Sequence, residues 1–179
     1  MAEDERTRRW QRISSPAIGA DPVHALRSAI AEIRNAPRDQ EARRQLRALA
    51  AEQGTWEQLA LLLDDESRAA HKKPELAAAM FEELADVHEN LDQVVEAISA
   101  MENVVELQPE DLQHHDRLAW LYRKAGAGVK AAEAFERVAE LARDDRARAA
   151  LRAAGRLYRD AGKSEQAVRV YRAIVKRRP

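Results

Sequence analysis

Apolar and small residues recur along this chain in a fixed long period. Leu84-Ala85, Leu118-Ala119 and Ala154-Gly155 lie 34 and 36 residues apart. Twelve residues beyond each small member stands another alanine, Ala97, Ala131 and Ala167, and four further on a large side chain, Met101, Phe135 and Tyr171. Pro109 and Pro179 each follow their small residue by 24 positions. Within each period the apolar residues step by three and four, the signature of helices with one buried face. A period of this length predicts stacked helical hairpins, each unable to bury its apolar face alone.

The same stepping predicts the individual helices. Asp21-Pro22 has the form of a cap followed by proline at the first helical position, and Val23, Leu26, Ile30 and Ile33 face inward before Pro37 stops the helix. A second helix is expected over about 39–53, with Leu46, Leu49 and Ala50 inward and Gly54 as its end. Thr55 is expected to cap a third, with Trp56, Leu59, Leu63 and Ser67 inward. Pro74 opens the regular part: helices at about 75–89, 91–107, 111–125, 129–142, 145–161 and 164–177, turned at Gly126-Ala127-Gly128 and Gly162. No segment alternates in the manner of a strand. The expected organisation is a flexible tail over 1–20 followed by one helical array over 21–179. Its first part, 21–73, is irregular; units at 75–109, 111–143 and 145–179 are regular. Trp10, isolated in the charged tail, is expected to staple onto the first helix.

Composition agrees with an all-α array: 34% charged residues, 4% aromatic and only six glycines and six prolines. The absence of cysteine removes disulfides, thiol catalysis and thiolate metal sites. No secretory leader stands at Met1, and the longest aliphatic run, Leu59 to Leu63, is far short of a membrane span. A cytoplasmic protein without membrane insertion is the expectation. A net charge of −1 conceals segregation. Pro74 to Asp116 holds twelve acidic residues and no Lys or Arg, whereas Glu140 to Pro179 holds twelve basic residues and five acidic ones. Such a gradient can orient a charged partner.

Residue by residue, the pattern resembles the tetratricopeptide repeat. In that family the first helix of a hairpin carries a large residue, then Leu with Gly or Ala, then Tyr; the second carries Ala, a bulky residue and another small one, with proline closing the unit. Phe81, Leu84, Ala85, His88, Ala97, Met101, Val104 and Pro109 follow this scheme. So do Leu118, Ala119, Tyr122, Gly126, Ala131, Phe135 and Val138, and then Leu151, Ala154, Gly155, Tyr158, Gly162, Ala167, Tyr171, Ile174 and Pro179. The match is degenerate before residue 74, where Arg47 occupies a usual small position; this part resembles divergent repeats of long bacterial arrays. The resemblance implies a right-handed superhelical stack of antiparallel helix hairpins, an α-solenoid acting as scaffold or adaptor. Its concave groove, lined by first helices, would show Glu82, Asp86 and Glu89, then Gln113, Asp116, Trp120 and Arg123, then Arg152, Arg156 and Arg159. A peptide or helix of mixed charge, gripped around Trp120, is the implied ligand.

Chemistry finds little support. No two of the five histidines stand four apart on one helix, and adjacent His114 and His115 read as a surface pair. No nucleophile is accompanied by a base and an orienter. Glu82, Glu83 and Asp86 read as a solvated face. A non-enzyme with no metal or cofactor is therefore expected. Two alternatives remain open from sequence. One is a self-associating module, a homodimer or longer array through the C-terminal hairpin, where Val168, Tyr171 and Val175 would expose apolar surface. The other is nucleic-acid binding through Arg143, Arg146, Arg148, Arg152, Arg156 and Arg159, disfavoured by the acidic segment, a pI near 6.5 and few aromatics. Ending at Pro179 without a capping helix, the chain is expected to be a piece of a longer array or, as the alternative, to pack its end on another copy.

Overall fold

The computed structural model describes residues 21–176; the expected tail with Trp10, and Pro179, lie outside them. Among the described residues every regular element is an α-helix: α1 (Pro22–Asn35), α2 (Gln40–Gln53), α3 (Trp56–Ala69), α4 (Pro74–Asn90), α5 (Val94–Leu107), α6 (Leu112–Lys124), α7 (Gly128–Leu141), α8 (Asp144–Asp160) and α9 (Ser164–Lys176). The fold class is all-α, as the periodicity requires. The chain divides into two compact units, Met1–Asp92 and Gln93–Pro179. The expected hairpin at 75–109 contributes α4 to the first and α5 to the second.

Local signals set the helix ends. Carboxylates of Asp21, Asp39 and Asp111 accept from backbone N–H groups in the first turns of α1, α2 and α6, satisfying donors that have no intrahelical partner. Thr55 precedes α3 without capping it: its hydroxyl is buried and makes no hydrogen bond. Gly126 and Gly162 adopt the left-handed conformation, with φ of 74° and 70°. One residue beyond each, the N–H groups of Ala127 and Lys163 donate back to the carbonyls of Tyr122 and Tyr158. Two turns 36 residues apart thus close in the same way.

In the first unit α1 packs on α2 and α3, and α4 packs chiefly on α3. Leu26, Ile30, Ile33, Leu46, Leu59, Leu63 and Met80 are fully buried there. In the second unit each helix packs on the next, from α5 to α9. Ala132, Val138, Ala139, Ala150, Leu151, Ala154, Tyr158, Ala167 and Val170 form one core, with Phe135 and Tyr171 against it. Alanines dominate because helices approach closely only where side chains are small, and one ring then fills the gap.

Polar groups lock the same joints. Tyr122 of α6 donates its hydroxyl to Glu102 of α5, and Lys130 of α7 lies 3.5 Å from that carboxylate and 5.2 Å from the tyrosine ring centroid. One repeat later Tyr158 of α8 donates to Glu136 of α7 at 2.8 Å, and Arg169 of α9 donates to the same carboxylate at 2.7 Å. Burial, then the bonded carboxylate, pushes both phenols above their ordinary pKa.

The tightest fit is Gly155. A Cβ there would stand 2.7 Å from Cε1 and 2.8 Å from Cζ of Tyr171. Alanine is favoured over glycine in helix interiors by about 1 kcal/mol, whereas overpacking costs about 1–3 kcal/mol. Gly155→Ala is therefore expected to lower stability by about 1 kcal/mol in urea unfolding. Tyr171→Leu should cost less in the Gly155→Ala background than in the wild type; additivity of the two would show that the ring is not what excludes the methyl.

Candidate functional site

In the second unit two stripes of expected groove residues lie side by side. Gln113, Asp116, Trp120 and Arg123 step along α6 by three and four; Arg152, Arg156 and Arg159 do so along α8. Arg146, in the first turn of α8, donates to Asp116 of α6 at 2.8 Å, tying the two helices across this surface. The inward faces of both helices are occupied: Leu118, Ala119, Leu121 and Tyr122 on α6, and Ala147, Ala150, Leu151, Ala154 and Tyr158 on α8, are buried. What remains outward is the polar stripe and one indole.

Trp120 is 43% exposed, and the Lys124 ammonium stands 5.8 Å from its ring centroid. A large aromatic left half in water beside a cation offers both apolar area and a polarised ring face. Arg123 on the same helix, and Arg152, Arg156 and Arg159 on α8, are exposed as well. Several charges of the basic stretch are already spent locally. Arg148 donates to Asp145, Arg159 to Asp160 and Arg146 to Asp116. The bond from Arg148 lowers the pKa of Asp145.

The acidic stripe, in the first unit, is placed differently. Glu82, Asp86 and Glu89 are only partly exposed on α4. Arg43 of α2 donates to Glu82 at 2.5 Å and to the carbonyl of Pro37 at 2.8 Å. Arg47 donates to Glu83 at 2.7 Å and to Asp86 at 2.6 Å. Glu83, expected on a solvated face, is 1% exposed, and this corrects that expectation. It is buried because α2 brings two guanidiniums to it, Arg47 in contact and Arg43 Nε at 3.5 Å. Arg47 holds a usual small position for the same reason: its side chain fills space that alanine would leave and supplies the charge that Glu83 demands. The sequence carried a signal, since Arg43 and Arg47 precede Glu82, Glu83 and Asp86 by 36 and 39 residues, about one repeat.

His115 is buried, not a surface residue, with Nε2 2.9 Å from the carbonyl oxygen of Pro109. Among the described residues no group of three His, Cys, Asp or Glu side chains could hold a metal, and no helix is long and apolar enough to cross a membrane.

Hairpins locked at a constant register, with variable residues on one outward stripe, define a helical-repeat protein. Residues 115–149 and 150–179 match the family model of the tetratricopeptide repeat. Solved structures share the fold at low identity. MamA AMB-1 is 16% identical with a TM-score of 0.54, over 98% of this chain and 92% of that one. Putative kinesin light chain TPR-like repeats of Podosopora anserina are 23% identical with a TM-score of 0.53, over 88% of both chains. YrrB, described as a TPR protein with an unusual peptide-binding site, is 18% identical with a TM-score of 0.50, over 87% of this chain and 77% of that one. No curated protein matches the sequence.

Burial pushes Glu83 up to about 7, with Asp86 adding to the shift, against Arg47 and Arg43, which hold it down. The unfolded carboxyl titrates near 4.5. Between these values the folded state holds a proton that the unfolded state has lost, so this group's contribution to stability falls as pH rises from 4.5 through 7 and is level above. The span of 4.5 to about 7 corresponds to at most about 3.5 kcal/mol at ~1.4 kcal/mol per unit. Glu83→Gln is expected to flatten the difference in urea midpoint between pH 5 and pH 8; an unchanged profile would place the proton elsewhere.

Proposed function

We propose that this protein is a non-catalytic interaction module whose α6–α8 surface holds a peptide or helix of a partner protein. Tetratricopeptide repeats mediate protein–protein contacts as a class. The observation that carries the proposal for this chain is the half-exposed Trp120 on α6, a helix tied by the Arg146–Asp116 ion pair to α8 with its exposed Arg152 and Arg156. Trp and Arg dominate binding hot spots because they join contact area to directed polar groups. Arg152 and Arg156 call for carboxylates in the ligand, and the indole for an apolar side chain beside them. A partner of mixed charge therefore meets this face with its acidic part. YrrB, by its description a peptide binder on the same fold, is a precedent for such use.

The reading of the basic stretch as a phosphate-binding surface is weaker. Arg146, Arg148 and Arg159 face carboxylates of Asp116, Asp145 and Asp160, which a nucleic-acid backbone would have to displace or approach. A binding module also fits the surroundings of His115, which is buried against the carbonyl of Pro109, and of Glu82, Glu83 and Asp86, which are held in ion pairs.

The test is capture of partners from the native host by the wild type, by Trp120→Ala and by the pair Arg152→Glu and Arg156→Glu. Loss of a hot-spot tryptophan costs about 2 kcal/mol or more, roughly 30-fold in affinity, so a protein held by the wild type should disappear with both variants. Helical circular dichroism must be unchanged in each. Identical capture by all three would remove the α6–α8 surface from the proposal.

A further inference from the structure

On the solvent side of α3, Glu57, Leu61 and Asp65 stand in line, each four residues from the next. Leu61 is 71% exposed, and both acidic residues are exposed beside it. The other carboxylates of the helix are committed: Asp64 pairs with Arg68 at 2.9 Å, and Glu66 with Arg34 of α1. Among the described residues Glu57 and Asp65 have no partner. A lone exposed leucine is ordinary on a protein surface. One set midway between two unpaired carboxylates makes a composite patch, apolar at its centre and negative at both ends. With a rise of about 1.5 Å per residue, the stripe advances by about 6 Å per step and by about 12 Å from Glu57 to Asp65.

The chain itself carries the complement, outside the described residues. From Arg6 to Ala20 it holds four arginines and no acidic residue, with Trp10 among them. In extended chain, alternate residues line one face at steps of about 6.6 Å. Arg8, Trp10 and Arg12 then present cation, indole and cation at nearly the spacing of carboxylate, leucine and carboxylate on α3. Reach suffices. Eleven residues separate Trp10 from Asp21, up to about 36 Å of chain. The first helix packs against α3, and a helix of 14 residues is only about 21 Å long. By contrast α1, the helix onto which Trp10 is expected to staple, has Arg27 and Arg34 as its exposed charges, which oppose an arginine-rich segment. We propose that residues 8–12 dock on the outer face of α3, with Trp10 over Leu61 and Arg8 and Arg12 on the two carboxylates. Exposed ion pairs are individually weak. A short tether offsets this by holding the segment at a high effective concentration, so a weak contact keeps it in place. The patch is separate from the α6–α8 stripe, and the two surfaces are tested independently.

The chain has no cysteine, so Gln11→Cys with exposed Gln58→Cys places two nitroxide labels on the full-length protein and nowhere else. Pulsed electron–electron resonance should read one short, narrow distance between them. Trp10→Ala should broaden that distribution and shift it to longer distances, and so should the pair Glu57→Lys and Asp65→Lys. Adding Arg8→Glu and Arg12→Glu to the latter pair should restore the short distance, because the charges are complementary again. Circular dichroism and urea midpoints confirm that the variants are folded, as expected for substitutions at exposed positions of α3. A broad distribution in the otherwise unaltered chain overturns the proposal, as does a short distance indifferent to the charge reversals or not restored by the double exchange. Loss of the short distance on dilution with unlabelled chain also overturns it, since the face would then belong to the same segment of a second copy.

Discussion

Each hairpin in residues 93–176 closes one apolar face within itself and leaves another that only the next helix can cover. The small-residue seats express that constraint. Ala132 and Ala139 are small so that α8 can approach α7, and Gly155 has no Cβ at all because the ring of Tyr171 occupies its place. Dispersion falls off steeply with separation, so a gap of a methyl's width forfeits contact and an extra methyl forces strain. Register is then fixed by geometry alone. The Tyr–Glu bonds at the α5–α6 and α7–α8 joints add direction, since phenol and carboxylate meet only when both helices are in step.

In the first unit the same space is filled by charge. Arg43 and Arg47 of α2 reach Glu82, Glu83 and Asp86 of α4. Removing either partner from such a buried cluster leaves an uncompensated charge, whereas matched apolar replacements can be neutral. The cluster is thus better suited to specifying one pairing of helices than to maximising stability. It also spends part of the acidic segment internally: the run from Pro74 to Asp116 lacks Lys and Arg within itself because some of its counter-charges lie about one repeat earlier.

Helix positions, caps and turns were legible in the sequence because each depends on residues within one or two turns. Asp21-Pro22, Asp39, Gly126 and Gly162 act locally, and the helix ends lie within about three residues of their expected places. What periodicity could not convey was pairing across helices. Glu83 reads as surface on a local count, and only the positions of Arg43 and Arg47 on another helix make it a core residue. His115 was misread for a similar reason, its partner being the carbonyl of Pro109 in the preceding turn. Thr55 shows the opposite failure: a residue of the right type in the right place whose side chain does not make the bond. Of the outward stripe, the sequence located the residues on α6 and α8, but Arg146 as the tie to Asp116 and Lys124 beside Trp120 are properties of the packed hairpins.

Because the joints consume the small and large residues, chemical variation is confined to positions that no neighbour covers. On α6 and α8 those positions carry Trp120 and arginines; on α9 they carry Val168, Arg172 and Val175. A substitution of an outward residue on α6 or α8 leaves the core of either helix untouched, so these positions can change at little cost in folding. Which positions are free in this way follows from which side chains the repeat period has already committed to the core.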